Sequence, residues 1–138
     1  MKRNLLFTLV IAAFTLAACG GQSTYAPADV DNKEYADINV DEFQKMSENK
    51  DFVLVNVHIP FAGDIPETDL SIPFDQIADN LEQLPADKNA KIVLYCRSGS
   101  MSSQAAKTLT DLGYTNILNL SGGMNAWQQR GLHLEGVE

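Results

Sequence analysis

One cysteine of this sequence stands where a nucleophile would be placed. Cys96 follows the apolar run Ile92-Val-Leu-Tyr95 and precedes Arg97, Ser98, Gly99, Ser100, Met101 and Ser102. A short glycine-containing loop between a strand and a helix can curl until successive backbone N–H groups converge on the cysteine sulfur, forming an anion-binding nest. A helix beginning near Ser102 adds the positive end of its dipole, and Arg97 adds a formal charge at the rim. All three favour thiolate over thiol, so they are expected to lower the pKa of Cys96. The thiolate is the form that attacks a sulfane sulfur. The same N–H groups would then hold a persulfide anion or a departing oxyanion, which is nucleophilic catalysis through a covalent intermediate. The competing reading, an inert cysteine that merely ends a strand, fits poorly with the polar loop Arg97-Ser-Gly-Ser100.

The elements around that loop follow from periodicity. Asn39 and Glu42 have capping-box spacing, with Val40, Phe43 and Met46 on the buried face of the helix they open. Phe52-Val-Leu-Val-Asn-Val57 and Ile92–Tyr95 read as strands buried on both faces. Between them a loop with Pro60, Gly63 and Pro66 leads to a helix capped by Asp75. Its apolar positions are Ile77, Leu81 and Leu84, and Pro85 ends it. After the cysteine loop, Ser102–Leu112 reads as a helix with Ala105, Leu109 and Leu112 on one face and Gly113 at C′. Asn116–Leu120 is a short strand, and Ser121-Gly-Gly leads into a last helix through Trp127, closed by Arg130 and Gly131. Strands alternating with helices imply an α/β fold: a single domain with a mainly parallel sheet flanked by helices, its reactive loops at the C-terminal strand ends. Trp127 is expected in the core and His133 on the surface. For His58 two roles stand open, a proton donor near the loop and a simple hydrogen bond to backbone; the second is the simpler.

The chain has 138 residues, room for one ordinary domain. Its first 18 residues do not belong to that domain. Lys2 and Arg3 precede the apolar run Leu5–Ala18, interrupted only by Thr8 and Thr15. At ~1.5 Å per residue this run is too short for a hydrocarbon core of ~30 Å, so it reads as a secretory signal. Leu16-Ala-Ala-Cys19 resembles the lipobox of bacterial lipoproteins. That resemblance implies that Cys19 carries a diacylglycerol thioether and becomes the mature N-terminus. Residues 19–34 are then the lipidated terminus and a tether rich in small and polar residues, and 35–138 the folded domain. Gly20 rather than an aspartate after the cysteine leans towards the outer membrane in a host with two membranes. The expected location is extracytoplasmic, on the periplasmic face of that membrane.

Charge and cysteine usage narrow the partners. Loss of Lys2 and Arg3 from the 10 basic side chains leaves 8 against 18 acidic ones, a net charge of −10. Such a surface repels nucleic acid and anionic headgroups, so contact with the membrane is expected through the lipid anchor only. Of the two cysteines, one is committed to lipid, which leaves Cys96 as a free thiol outside the cytoplasm. Glu67, Asp69 and Asp75 lack metal-ligand spacing, and neither metal nor organic cofactor is expected.

The segment Cys96–Trp127 resembles the C-terminal half of a rhodanese domain. The similarity lies at Cys96, Arg97, Ser98 and Gly99 in the loop, at Ser102, Ala105, Ala106 and Leu109 in the helix, and at Leu112-Gly-Tyr114. Gly122-Gly-Met124 and Ala126-Trp127 complete it. It extends over roughly Tyr35 to Gly131. The resemblance implies a sulfurtransferase in which Cys96 takes sulfur from a donor such as thiosulfate and passes it to cyanide or a thiol. Arg97, Ser98, Gly99, Ser100 and Met101 would be the active-site loop. Two departures stand out. Many members carry Asp-Val-Arg where this chain has Asn56-Val-His58, so the usual ion pair is missing. Thiosulfate-active members often have a second loop arginine, where Ser100 and Met101 stand here. Cysteine phosphatases with a Cys-x5-Arg loop are excluded because position 102 is serine. A non-enzymatic role remains as the alternative: a sulfur carrier, redox sensor or interaction module for an envelope protein partner.

Overall fold

The computed structural model describes residues 34–137, which lie within one compact unit, Asp31–Glu138. The signal segment, Cys19 and nearly all of the tether lie outside the described residues. Those described form a five-stranded sheet in the order β1-β5-β4-β2-β3, with every pairing parallel. The strands are β1 (Ala36–Ile38), β2 (Val53–Asn56), β3 (Leu70–Ser71), β4 (Ile92–Tyr95) and β5 (Ile117–Leu120). The helices are α1 (Val40–Ser47), α2 (Ser100–Asp111) and α3 (Gly123–Gln129).

The sheet divides the core into two layers because successive strand side chains point to opposite faces. Ile92 and Leu94 of β4 face α2 and the segment Phe74–Gln83, packing with Val55, Ile77, Ala105, Ala106 and Leu109. Val93 and Tyr95 face α1 and α3, packing with Leu54, Val40, Phe43, Met124 and Trp127. All of β4 is therefore buried, as its unbroken apolar run requires. Trp127 is in the core as expected, edge-on to Phe43 at 5.9 Å and donating its indole N–H to His133 O at 2.8 Å. The capping box at α1 forms in both directions: Glu42 N–H donates to the Asn39 side chain at 3.0 Å, and Asn39 N–H to the Glu42 carboxylate at 2.8 Å.

Several sequence expectations change. The helix expected after Asp75 is a 3₁₀ segment, Phe74–Gln83, whose N-cap is Pro73 and not Asp75. Proline offers no capping oxygen, and the segment runs on i→i+3 bonds such as Gln76 N–H to Pro73 O at 2.9 Å. At Asn80 the backbone leaves helical geometry (φ −123°, ψ 29°), and the Asn80 side chain bonds Gln76 O instead. Ile77 and Leu84 still reach the core, with Leu81 packed against it. Helix α2 starts at Ser100, two residues early, because Gly99 is its N-cap. Leu112 follows α2 as its C-cap and is exposed, since the helix ends before Leu112 can turn inward. The short strands β1 and β3 carried no readable alternation, and β3 lies within what read as a loop.

Helix α3 sits on the cysteine loop. Met124 N–H donates to Cys96 O and Asn125 N–H to Arg97 O, both at 2.9 Å. This approach needs glycine at 123, where a Cβ would lie 2.0 Å from Cys96 O. Gly123→Ala is expected to destabilise the protein by about 3 kcal/mol, at the severe end for single substitutions, by forcing α3 off the loop. Urea denaturation measures this; a midpoint equal to that of the wild type would mean α3 can shift without loss.

Candidate active site

Cys96 emerges from β4 and is 1% exposed. Its Sγ accepts a hydrogen bond from Gly99 N–H at 3.1 Å and another from the Ser102 hydroxyl at 3.5 Å. Burial of the thiol works against ionisation, but the Ser102 hydroxyl and the backbone N–H groups of Ser102, Ser98 and Gly99 outweigh it. The net result is a pKa below that of an ordinary thiol. The nest expected around the sulfur is thus present. Gly99 makes it, with φ +100°, a left-handed conformation that an L side chain rarely adopts. That conformation turns the Gly99 N–H onto the sulfur and its carbonyl into α2, where it accepts from Ser103 N–H at 3.0 Å; the carbonyl also lies 3.1 Å from the Ser102 hydroxyl, whose one hydrogen is shared between it and the sulfur.

The remaining loop residues separate by role. Arg97 and Ser98 are exposed at the rim. Ser100 and Met101, expected in the loop, belong to the first turn of α2, and Met101 packs against the core cluster that includes Cys96. One ligand of the sulfur escaped the sequence reading as a site residue: Ser102. Its signal was its place in the opening turn of α2, where side chains lean back towards the helix N-terminus and so towards the loop.

The loop after β2 runs beside the cysteine loop. Asn56 is paired in register with Tyr95, and Val57 N–H donates to Tyr95 O at 2.9 Å, which brings His58 to the level of the loop. Asn56, fully buried, donates through Nδ2 to Gly63 O at 3.0 Å and to Asp64 Oδ1 at 2.8 Å, while its Oδ1 accepts from His58 N–H at 3.0 Å. The Tyr95 hydroxyl extends this network: it accepts from Ile65 N–H at 3.0 Å, lies 2.7 Å from the Thr68 hydroxyl and donates to Asp64 Oδ1 at 3.2 Å. Burial pushes the Tyr95 pKa well up, so the phenol stays protonated. This hydrogen-bonded group ties down the 57–69 loop. The backbone hydrogen bond anticipated for the His58 side chain is not found at Nδ1, which is buried without a partner. Partial burial and then the nearby Arg97 charge lower the His58 pKa, so the imidazole is neutral near pH 7. It is therefore not a standing proton donor there.

A parallel α/β domain with a cysteine nest at the C-terminal end of a central strand defines a recognisable class. The sequence pattern of the rhodanese-like domain matches residues 39–130, and the chain belongs to that family. Among curated relatives, a protein named sulfurtransferase from Allochromatium vinosum is 36% identical over 98 residues, spanning 69% of this chain and 89% of the relative. Thiosulfate sulfurtransferase PspE of Escherichia coli is 32% identical over 53 residues, 38% of this chain and 51% of its own length. A solved rhodanese-like domain protein from Staphylococcus aureus superposes with a TM-score of 0.61 at 31% identity, over 73% of this chain and 99% of that one. The human single-domain sulfurtransferase TSTD1 shares the fold, with a TM-score of 0.60 at 23% identity over 67% of this chain and 95% of its own.

The Asn56 network yields a test. Asn56→Asp would replace the donor to Gly63 O and Asp64 with a buried carboxylate facing another carboxylate. The expected loss is about 3 kcal/mol or more at neutral pH. It should shrink as the pH falls and the pair takes up a proton. Denaturant titrations at pH 7 and pH 5 measure both effects; an equal loss at the two pH values would contradict the charge argument.

Proposed function

We propose that this protein is a sulfurtransferase working through a Cys96 persulfide. The observation that carries the reading is the buried Sγ held by the Gly99 N–H and the Ser102 hydroxyl, with its pKa below that of an ordinary thiol. In the first half-reaction the Cys96 thiolate attacks the sulfane sulfur of a donor. A Cys96 S–S bond forms, the donor's bond to that sulfur breaks, and the leaving group departs with the electron pair: sulfite from thiosulfate, or a thiolate from a persulfide. In the second half-reaction a thiophilic acceptor, a thiolate or cyanide, attacks the outer sulfur and returns Cys96 to thiolate. Arg97, Ser98 and Gly99 form the substrate-facing loop, and the first turn of α2 adds Ser100 and, as an apolar wall, Met101.

The donor class follows from charge. Thiosulfate is a dianion, and Arg97 is the loop's one formal positive charge. A low-molecular-weight persulfide, whose S–SH group carries at most one negative charge, is the better match. The lipobox reading adds a location: anchored through Cys19 outside the cytoplasm, with sulfur compounds of the envelope as substrates. Incorporation of labelled fatty acid that disappears in Cys19→Ser tests that part.

Incubation of the full chain with a persulfide donor should add about 32 Da, one sulfur atom, to the peptide that contains Cys96. Cyanide or thiol should reverse the addition, and Cys96→Ser should abolish it. Loading should be several-fold faster with persulfide than with thiosulfate. Its rate should rise with pH through the Cys96 pKa, with a midpoint below that of free cysteine, because the reactive form is the thiolate. No gain with any donor would remove the sulfurtransferase reading. Loading without turnover of small acceptors would favour the sulfur-carrier alternative.

A further inference from the structure

Beside the cysteine loop lies a buried polar group in an otherwise apolar strand. Asn119 of β5 is 3% exposed and sits opposite Asp37 of β1 in register. Its Nδ2 donates to Asp37 Oδ1 at 2.7 Å and to the Ser103 hydroxyl at a longer 3.4 Å. Its Oδ1 is buried with no partner. A buried acceptor left unsatisfied costs about 1–3 kcal/mol, and such a group calls for a reason.

The reason lies in direction. Turning the amide over would bring Oδ1 within reach of the Ser103 hydroxyl but set it against the Asp37 carboxylate, which repels it. The carboxylate therefore fixes the amide with its N–H groups towards Asp37 and Ser103. The Ser103 oxygen, receiving an N–H, keeps its own single hydrogen for Gly99 O, to which it donates at 2.6 Å. Gly99 is the residue whose N–H holds the Cys96 sulfur.

We propose that Asp37, Asn119 and Ser103 are positioning residues: a one-way hydrogen-bond chain that clamps the Gly99 carbonyl and so keeps the Gly99 N–H on the reacting sulfur. The chain runs from the edge strand β1 through β5 and the first turn of α2 to the loop. It spans elements far apart in sequence, and neither Asp37, Asn119 nor Ser103 itself touches the sulfur. A left-handed glycine is free to swing unless both its peptide groups are held. Here the amide side is held by sulfur, and the carbonyl side by the Ser103 N–H and hydroxyl. The inference rests on Cys96 being the reactive sulfur, but not on which sulfur compound it handles.

The test reads the thiolate without any sulfur donor. Alkylation of Cys96 by iodoacetamide in the full chain is followed across pH on the peptide that carries Cys96. Ser103→Ala should raise the midpoint by about half a pH unit, and so slow alkylation about threefold below it. Ser103→Thr, which keeps the hydroxyl, should restore the wild-type profile. Asp37→Asn should also raise the midpoint by freeing the Asn119 amide to turn over. Removing a nearby negative charge acts in the opposite sense and would lower it, so the sign is decisive. A wild-type midpoint in Ser103→Ala, or an unchanged or lowered midpoint in a folded Asp37→Asn, overturns the proposal. If Asp37→Asn does not fold by circular dichroism, the Ser103 pair decides alone, since alanine is a better helix former than the serine it replaces and removes only the hydroxyl. A chain that never accepts sulfur but shows the shifted midpoints would sink the sulfurtransferase reading and leave this one standing.

Discussion

A thiolate out of contact with water is tolerable only where hydrogen-bond donors replace the water it has lost. The contact between Gly99 N–H and Cys96 Sγ, together with the Ser102 hydroxyl, meets that demand. Much of the surrounding architecture serves it. The four buried residues of β4 bring Cys96 to the sheet's C-terminal edge, where helix α2 begins. Helix α3 then seats its first N–H groups on the carbonyls of Cys96 and Arg97, so the loop is held by its carbonyls on one side while its own N–H groups face the sulfur.

The second fixed wall of the site is built without the expected ion pair. Asn56 bridges to Gly63 O and Asp64, and Tyr95 joins the same carboxylate from the next strand. An amide can both donate and accept, so one buried side chain fixes the 57–64 loop in two directions, through Gly63 O and through His58 N–H. A buried ion pair would carry a larger desolvation cost for the same geometric end. The antiparallel bridge between Asp64 and Glu135 ties the C-terminal tail to this loop as well. The chain's end therefore helps to hold the wall on which His58 stands beside Arg97.

The two layers of the core show how an apolar run is divided by the sheet. Alternate residues of β4 serve α2 on one face and α1 with α3 on the other. Cys96 continues the alternation into the α2 layer, which is why the sulfur meets Ser102 and the Met101 side of that helix and not Trp127. The register of a parallel strand thus selects which side chains become sulfur partners.

Local patterns determined much of this protein. The runs Phe52–Val57 and Ile92–Tyr95, the capping box at Asn39 and the cysteine–glycine loop are short-range features, each decided by neighbours within a turn or a strand, and each stands where the sequence pattern puts it. The resemblance in Cys96–Trp127 pointed to the family that residues 39–130 match. Tertiary structure decided the rest. Strands of three and two residues, β1 and β3, exist only because β5 and β2 offer partners, and no local periodicity can signal such pairing. The 3₁₀ form of Phe74–Gln83 follows from packing two apolar anchors, Ile77 and Leu84, around Asn80 rather than from helix propensity. The Ser102 hydroxyl on the sulfur, the Asn56–Asp64–Tyr95 network and the Asp37–Asn119–Ser103 chain join residues up to 82 positions apart. Hydrogen bonds are directional and short, so such partners are chosen only when the sheet order has brought them within reach, and a linear pattern carries no record of that distance.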